Sequence, residues 1–231
     1  MTKNILIIGA SSDIGLEICK LANADGHNIY ATSRDDVNAN NFDNFIQLDP
    51  NKSLDVLDDL PENIDGLVYC PGTINLRSLQ RLTLEDIKNE MEVNFYGAFN
   101  IIKKVLPNLK KNDGASVVLF STVAVKTGMP MHSSIAAAKG ALEGLAKSLA
   151  AELAPRVAIN CIAPSIVDTK LAANILSTDE RKQASADRHP LKFIGTPKLI
   201  AQSAYQLLAA KENWITGQII AIDGGLSSLK N

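Results

Sequence analysis

The sequence has too few cysteines for a disulfide framework. Cys19, Cys70 and Cys161 are odd in number and lack metal-ligand spacing, so we expect a reduced, cytoplasmic setting and no metal. It also lacks an excess of either charge. A net charge of −2 gives no electrostatic reason to expect nucleic acid or an anionic membrane as partner. No apolar run is long enough to span a bilayer. Met1-Thr2-Lys3-Asn4 leads straight into a strand-like run, which leaves no room for a signal peptide. Repeats and low-complexity segments are missing as well. What is present is an ordinary globular composition, 46% hydrophobic and 21% charged, over 231 residues. That length suits one α/β domain with a full core and is too short for two large ones.

Strand-like runs alternate with helical segments from end to end. Ile5–Ile8, Asn28–Thr32, Phe45–Leu48, Gly66–Tyr69, Ser116–Phe120, Val157–Ile162 and Gln218–Ile222 read as strands. Several have almost no polar residue, as expected of parallel strands buried on both faces. Between them, Ile14–Ala24, a short Ser53–Leu60, a long Leu84–Leu109 ending near Pro107, Ser134–Leu153 and Pro197–Ala210 read as helices. Such alternation demands right-handed crossovers and predicts a single-domain α/β fold over residues 1–231, a doubly wound parallel sheet flanked by helices.

The stretch Ile5–Gly15 ends its first strand at Gly9 and turns into a helix through Ala10-Ser11-Ser12-Asp13-Ile14-Gly15. A helix N-terminus presents N–H groups without intrahelical partners, and glycines let backbone approach a pyrophosphate. A plain βα turn would use the same glycines, so the loop alone is weak evidence. Ser11 and Ser12 can donate to phosphate or simply cap the helix. Asp13, a carboxylate facing a site for anions, is expected to point to solvent.

Taken together, the motifs resemble the short-chain dehydrogenase/reductase family, and the resemblance covers nearly the whole chain. It rests on Gly9–Gly15 with its Gly-x-x-x-Gly-x-Gly spacing, Val93-Asn94-Phe95-Tyr96-Gly97, Val157–Pro164 followed by Val167 and Thr169, and Gly195-Thr196-Pro197. His189-Pro190-Leu191, Ile215-Thr216-Gly217-Gln218 and Asp223-Gly224-Gly225 place it nearest the 3-oxoacyl-carrier-protein reductase-like branch. The resemblance implies a Rossmann-type fold and a nicotinamide cofactor held by Gly9, Ser11, Ser12, Ile14, Gly15, Asp49 (at the adenine), Gly72, Val167 and Thr169. It also implies a homodimer or homotetramer built on the long helices and the last strand, acting on a small-molecule substrate. Cofactor choice in the family is read after the second strand. Here Ser33 stands where an aspartate would accept the ribose hydroxyls, and Arg34 follows. A guanidinium pairs well with phosphate, which favours NADP(H) over NAD(H). Arg34 is alternatively a surface arginine beside Asp35 and Asp36.

Two departures stand out. Tyr69-Cys70-Pro71-Gly72 replaces the family's Asn-Asn-Ala-Gly, keeping only the glycine. More consequential is the catalytic helix. The family has a serine or threonine, matched by Thr122 with Ser121 beside it, then a tyrosine and a lysine four apart on one helical face. Lys139 matches the lysine, and the tyrosine position is Ile135. Isoleucine has no proton to give.

Three readings follow. The chain is an enzyme with another proton donor, for which His132 is the candidate, sharing a face with Ile135 and Lys139 if the helix begins that early. Otherwise His132 is a cap or loop histidine. Alternatively the chain is a catalytically inactive paralogue that binds NADP(H) in a structural or regulatory role, or it acts as a partner subunit. In active relatives Asn94 would hold a water on the proton path to the lysine, and its alternative is a structural amide. Thr122 likewise either meets substrate or satisfies a backbone group. Lys170–Phe193 reads as a substrate lid in which Arg181, Lys182, Arg188 and Lys192 would favour an anionic substrate, offset by Asp179, Glu180 and Asp187.

Overall fold

Alternate residues of a strand point to opposite faces, and here both faces are apolar. Leu6 and Ile8 pack on one side of the sheet, Ile5 and Ile7 on the other, all four fully buried. A computed structural model describes residues 2–36, 39–210 and 212–230. Its strands are β1 (Asn4–Ile8), β2 (Asn28–Ser33), β3 (Asn44–Gln47), β4 (Gly66–Tyr69), β5 (Ala115–Phe120), β6 (Val157–Pro164) and β7 (Ile219–Ile222). They form one seven-stranded parallel sheet in the order β3-β2-β1-β4-β5-β6-β7. The expected doubly wound sheet is the one observed.

Helices α1 (Asp13–Ala24) and α7 (Pro197–Ala209) cover the Ile5 face, where Ile18 and Ala22 meet Ile200, Ala204 and Leu208. The other face is covered by α3 (Gly97–Leu109) and α5 (Ser133–Leu153), through Ile101, Val105, Leu142, Ala146 and Ala150. Strand order reverses between β1 and β4, so a crevice opens beyond their carboxyl ends, the usual ligand position in this architecture.

Two helix expectations need correction. Ser53–Leu60 is not a helix; only a 3₁₀ turn, Asp55–Leu57, forms there. Leu84–Leu109 is not continuous either. It comprises α2 (Leu84–Met91), a π turn over Glu92–Tyr96, and α3, which runs through Pro107 to Leu109 rather than stopping at the proline. A π turn widens the backbone and frees carbonyls. Within it, Val93 O accepts the hydroxyl hydrogen of fully buried Tyr69 at 2.8 Å. Gly97 makes room for that phenol, because a Cβ there would overlap Tyr69 Oη. Gly97→Ala is therefore expected to destabilise the chain by about 1–3 kcal/mol through overpacking. A urea midpoint equal to wild type would show that Tyr69 is not seated in this way.

The short helix α4 (Ala124–Thr127) follows β5, and α6 (Asp179–Asp187) lies in the segment expected to form a lid. Arg181, Lys182 and Lys192 of that segment bond close by. Arg181 donates to Asn174 O and Ser177 Oγ, Lys182 pairs with Asp168, and Lys192 donates to Asp187 O. No helix among the described residues is long and apolar enough to cross a membrane.

Candidate active site

The crevice at the switch point is built by backbone as much as by side chains. Gly9 adopts φ +75°, which an L side chain rarely does, and a Cβ there would crowd Pro71 at 3.1 Å. A Cβ on Gly15 would sit 2.6 Å from Gly9 O, so the loop closes only with glycine. Ser12 is the N-cap of α1. Its Oγ donates to Gly9 O at 2.8 Å and accepts from Gly15 N at 3.1 Å, so of its two expected roles the cap is occupied. Ser11 Oγ lies 2.8 Å from Ser33 Oγ, coupling the loop to the end of β2. Ile14 is half-buried and packs against the α1/α7 face of the core.

Asp13 does not simply point to solvent. Its Oδ2 accepts the Lys170 N–H at 2.7 Å, at the start of a 3₁₀ turn over Lys170–Ala172. The acidic residue of the phosphate loop is thus tied to the segment after β6, by a contact between residues 157 apart in sequence. In that same segment Thr169 accepts from Ala172 N at 3.3 Å and donates to Val167 O at 3.3 Å. Buried Val167 bridges to Gly195.

Gly9, Ser11, Ser12, Arg34, Asp49 and Gly72 line one cleft of about 280 Å³. Leu171 reaches its rim from the segment after β6. Arg34 is exposed and forms no ion pair among the described residues, despite Asp35 and Asp36 beside it. Asp35 instead accepts from Ser33 Oγ at 3.3 Å. One oxygen of Asp49 accepts from Asn51 N at 3.1 Å.

The opposite wall holds the ionisable groups. A Cβ on Gly72 would lie 3.3 Å from Asn94 Oδ1 and 3.9 Å from Lys139 Nζ, so both converge on one point of backbone. Lys139 is 7% exposed, and its ammonium donates to no described residue. Burial pushes its pKa down to about 8, against the opposing pull of Cys161, Glu90 and Cys70. A buried ammonium without a protein acceptor is costly, and its three N–H donors are available to a ligand. Together with the glycine-lined cradle, this fits a nicotinamide dinucleotide.

Asn94, fully buried in the π turn, spends its side chain on the protein. Nδ2 contacts Thr73 Oγ1, Glu90 O and Glu90 Oε2, each at 3.0 Å, and Oδ1 accepts from Thr73 N at 3.4 Å. It bridges the helix to the loop after β4. Glu90 and Thr73 were not singled out from sequence, although a glutamate four residues before Asn94 shares its helical face.

Thr122 accepts from the Ala124 N–H at 3.3 Å, and Ser121 donates to Glu143. Ile135 is 4% exposed. Helix α5 begins at Ser133, so His132 is its N-cap rather than part of the helical face that carries Ile135 and Lys139. Its Nδ1 lies 2.8 Å from Pro130 O. A carbonyl only accepts, so Nδ1 carries the hydrogen and Nε2 of the neutral ring is an acceptor. His132 can act as an acid through Nε2 only as imidazolium.

Comparison with known proteins agrees with this architecture. The family model described as Enoyl-(Acyl carrier protein) reductase matches residues 9–227. The 3-oxoacyl-(acyl-carrier-protein) reductase FabG of Staphylococcus epidermidis is 29% identical, with 98% of this chain and 99% of that protein covered. Its counterpart from Buchnera aphidicola is 30% identical over 97% of this chain and 98% of its own length. Among solved structures, ElxO with NADP bound superimposes with a TM-score of 0.89 at 26% identity, covering 99% of this chain and 100% of that one. A short-chain dehydrogenase family protein from Francisella tularensis gives 0.88 at 28% identity, with 99% and 100% covered. On its sheet order, its glycine cradle and these relatives, the chain belongs to the short-chain dehydrogenase/reductase family of oxidoreductases.

Proposed function

We propose that the chain is an NADP(H)-dependent oxidoreductase that transfers hydride to or from a carbonyl or activated alkene of a small substrate. The observation that carries this reading is the convergence of the Lys139 ammonium, which donates to no described residue, and Asn94 on Gly72, at the switch point of the sheet. When bound, the nicotinamide supplies or takes the hydride. The protein's part is to hold the dinucleotide with Gly9, Gly15, Gly72, Val167 and Thr169 and to neutralise charge with Lys139. Thr122 serves as the substrate-facing hydroxyl. The acid in place of a tyrosine is drawn from His132, as imidazolium, or from Lys139. Cytoplasmic residence and assembly into a homodimer or homotetramer through α3, α5 and β7 belong to the same reading.

The preference for NADP(H) rests on Ser33 where a carboxylate would stand and on the Arg34 guanidinium, which forms no ion pair among the described residues. A charged hydrogen bond to a 2′-phosphate contributes roughly 1.5–3 kcal/mol, about 10- to 100-fold in affinity. Arg34→Ala is accordingly expected to weaken NADPH binding by that factor and to leave NADH binding unchanged, both read by nicotinamide fluorescence. Equal loss for both cofactors, or no loss, would remove Arg34 from the argument.

Activity is tested by NADPH oxidation against ketones, quinones and enoyl thioesters. Loss of that turnover in His132→Ala would assign the proton to His132, and its survival would assign it to Lys139. Buried, apolar Ile135 favours one second reading, an NADP(H)-binding paralogue without catalysis in a structural or regulatory role. Tight NADPH binding with no turnover across the panel is its signature.

A further inference from the structure

Lys139 is not the only ionisable group buried at this site. Glu90, in the last turn of α2, is 2% exposed. The Asn94 amide donates to its carboxyl at 3.0 Å, and the Thr73 hydroxyl and the Asn75 backbone N–H favour its charged form. Thr73 Oγ1 in turn accepts from Asn94 Nδ2 at 3.0 Å. The π turn and the loop after β4 therefore close a polar network around a carboxyl. On its far side that network presents Asn94 Oδ1 to the same backbone point that Lys139 Nζ approaches. A carboxyl is not required to fill space here. An apolar side chain of similar volume avoids the desolvation cost, so the network's persistence asks for an electrostatic purpose.

The charges acting on the two groups are few. Lys139, from α5, is the cation acting on Glu90. Lys139 itself is faced by Glu90 from α2, by Cys70 after β4 and by Cys161 from β6. Burial raises both thiols, Cys161 to about 12, so neither carries charge near neutrality. Glu90 is the only one of the three that can. Burial pushes its acid upward and the Lys139 ammonium downward, bringing two oppositely charged groups toward a common titration range.

We propose that Glu90 is a positioning residue for the charge of Lys139: the two titrate as a coupled pair across the Asn94–Thr73 network, and the Glu90 carboxylate sets the pH up to which Lys139 stays protonated. The proposal rests on the reading of Lys139 as the cofactor-site cation. It adds that, with Ile135 four residues before Lys139 and Glu143 of the same helix accepting from Ser121, the charge partner of Lys139 comes from α2.

The test uses the full-length protein with carbon-13 at Glu Cδ and Lys Cε, titrated by NMR. Glu90 is expected to titrate above the ordinary 4.5. In Lys139→Met its midpoint is expected to rise further, and in Glu90→Gln the Lys139 midpoint to fall, each by about one unit or more. Glu90→Asp, which keeps the charge, should restore most of the Lys139 midpoint. A purely structural glutamate would leave Lys139 unmoved in Glu90→Gln. That result, or a Glu90 midpoint at 4.5 that ignores Lys139→Met, overturns the proposal. If one variant does not fold, the other decides, because the coupling is reciprocal. NADPH affinity against pH is followed in parallel, and its alkaline limb should move to lower pH in Glu90→Gln. A wild type that binds no NADPH would sink the cofactor reading, while the two titrations would still decide the pair.

Discussion

Ile135→Tyr is expected to raise turnover of a ketone substrate with NADPH by about 10²- to 10⁴-fold, the range that a positioned proton donor supplies. Residue 135 lies four before Lys139 on α5, so the new phenol would sit one turn away from a buried ammonium on the same face. That neighbour lowers a phenol's pKa by stabilising the phenolate, which makes it a better acid for an oxyanion formed by hydride addition. The added ring is not free. Ile135 is 4% exposed, and overpacking costs about 1–3 kcal/mol, so a lower melting temperature is expected alongside the gain. Ile135→Phe carries the same ring without the hydroxyl and separates shape from chemistry. A gain in Ile135→Tyr alone assigns the missing function to a proton. Equal behaviour of both variants, with folding and NADPH binding intact, would show that proton supply does not limit this site.

The architecture was legible because the central strands are apolar on both faces, as in Val117-Val118-Leu119. The glycine cradle was legible for a local reason: Gly9 adopts a positive φ, and Gly15 meets Gly9 O and Ser12 within a few residues. What escaped is non-local or broken in period. The π turn over Glu92–Tyr96 inserts one residue into a helical row without interrupting its composition, so nothing in Leu84–Leu109 announces it. Asp13 looked solvated because its partner, the Lys170 N–H, is a backbone group from the far half of the chain. In sequence, Glu90 is one more charge on a polar helix. Only packing of α2 against α5 and the loop after β4 shows that this one points inward. His132 shows the opposite limit, since its alignment with Lys139 depended on where α5 begins, and helix ends are the least certain part of any periodic pattern.

Lys139→Met is expected to move binding and stability in opposite directions. NADPH affinity should fall by about 10- to 100-fold, the loss of one charge-assisted hydrogen bond of roughly 1.5–3 kcal/mol. Stability should rise, because Nζ bonds to no described residue and its charge is held in a site that burial disfavours. The sign follows from linkage. An ordinary lysine, as in the unfolded chain, loses its proton near 10.5, and the folded one near about 8. Below the folded value both states are protonated and the native state bears the full cost of the buried charge. Between the two values the unfolded chain binds the extra proton, so native stability rises with pH. The stabilisation of Lys139→Met is therefore largest below about pH 8, on the order of 1–3 kcal/mol, and fades toward pH 10.5. Methionine is close in length and flexible enough to fill the same channel. Urea midpoints at pH 7 and pH 10 read the stability, and NADPH fluorescence at pH 7 reads the binding. A variant that is less stable at both pH values, with NADPH affinity unchanged, would make Lys139 a structural residue. A variant that gains stability and loses the cofactor shows a lysine kept charged at the fold's expense for the sake of binding.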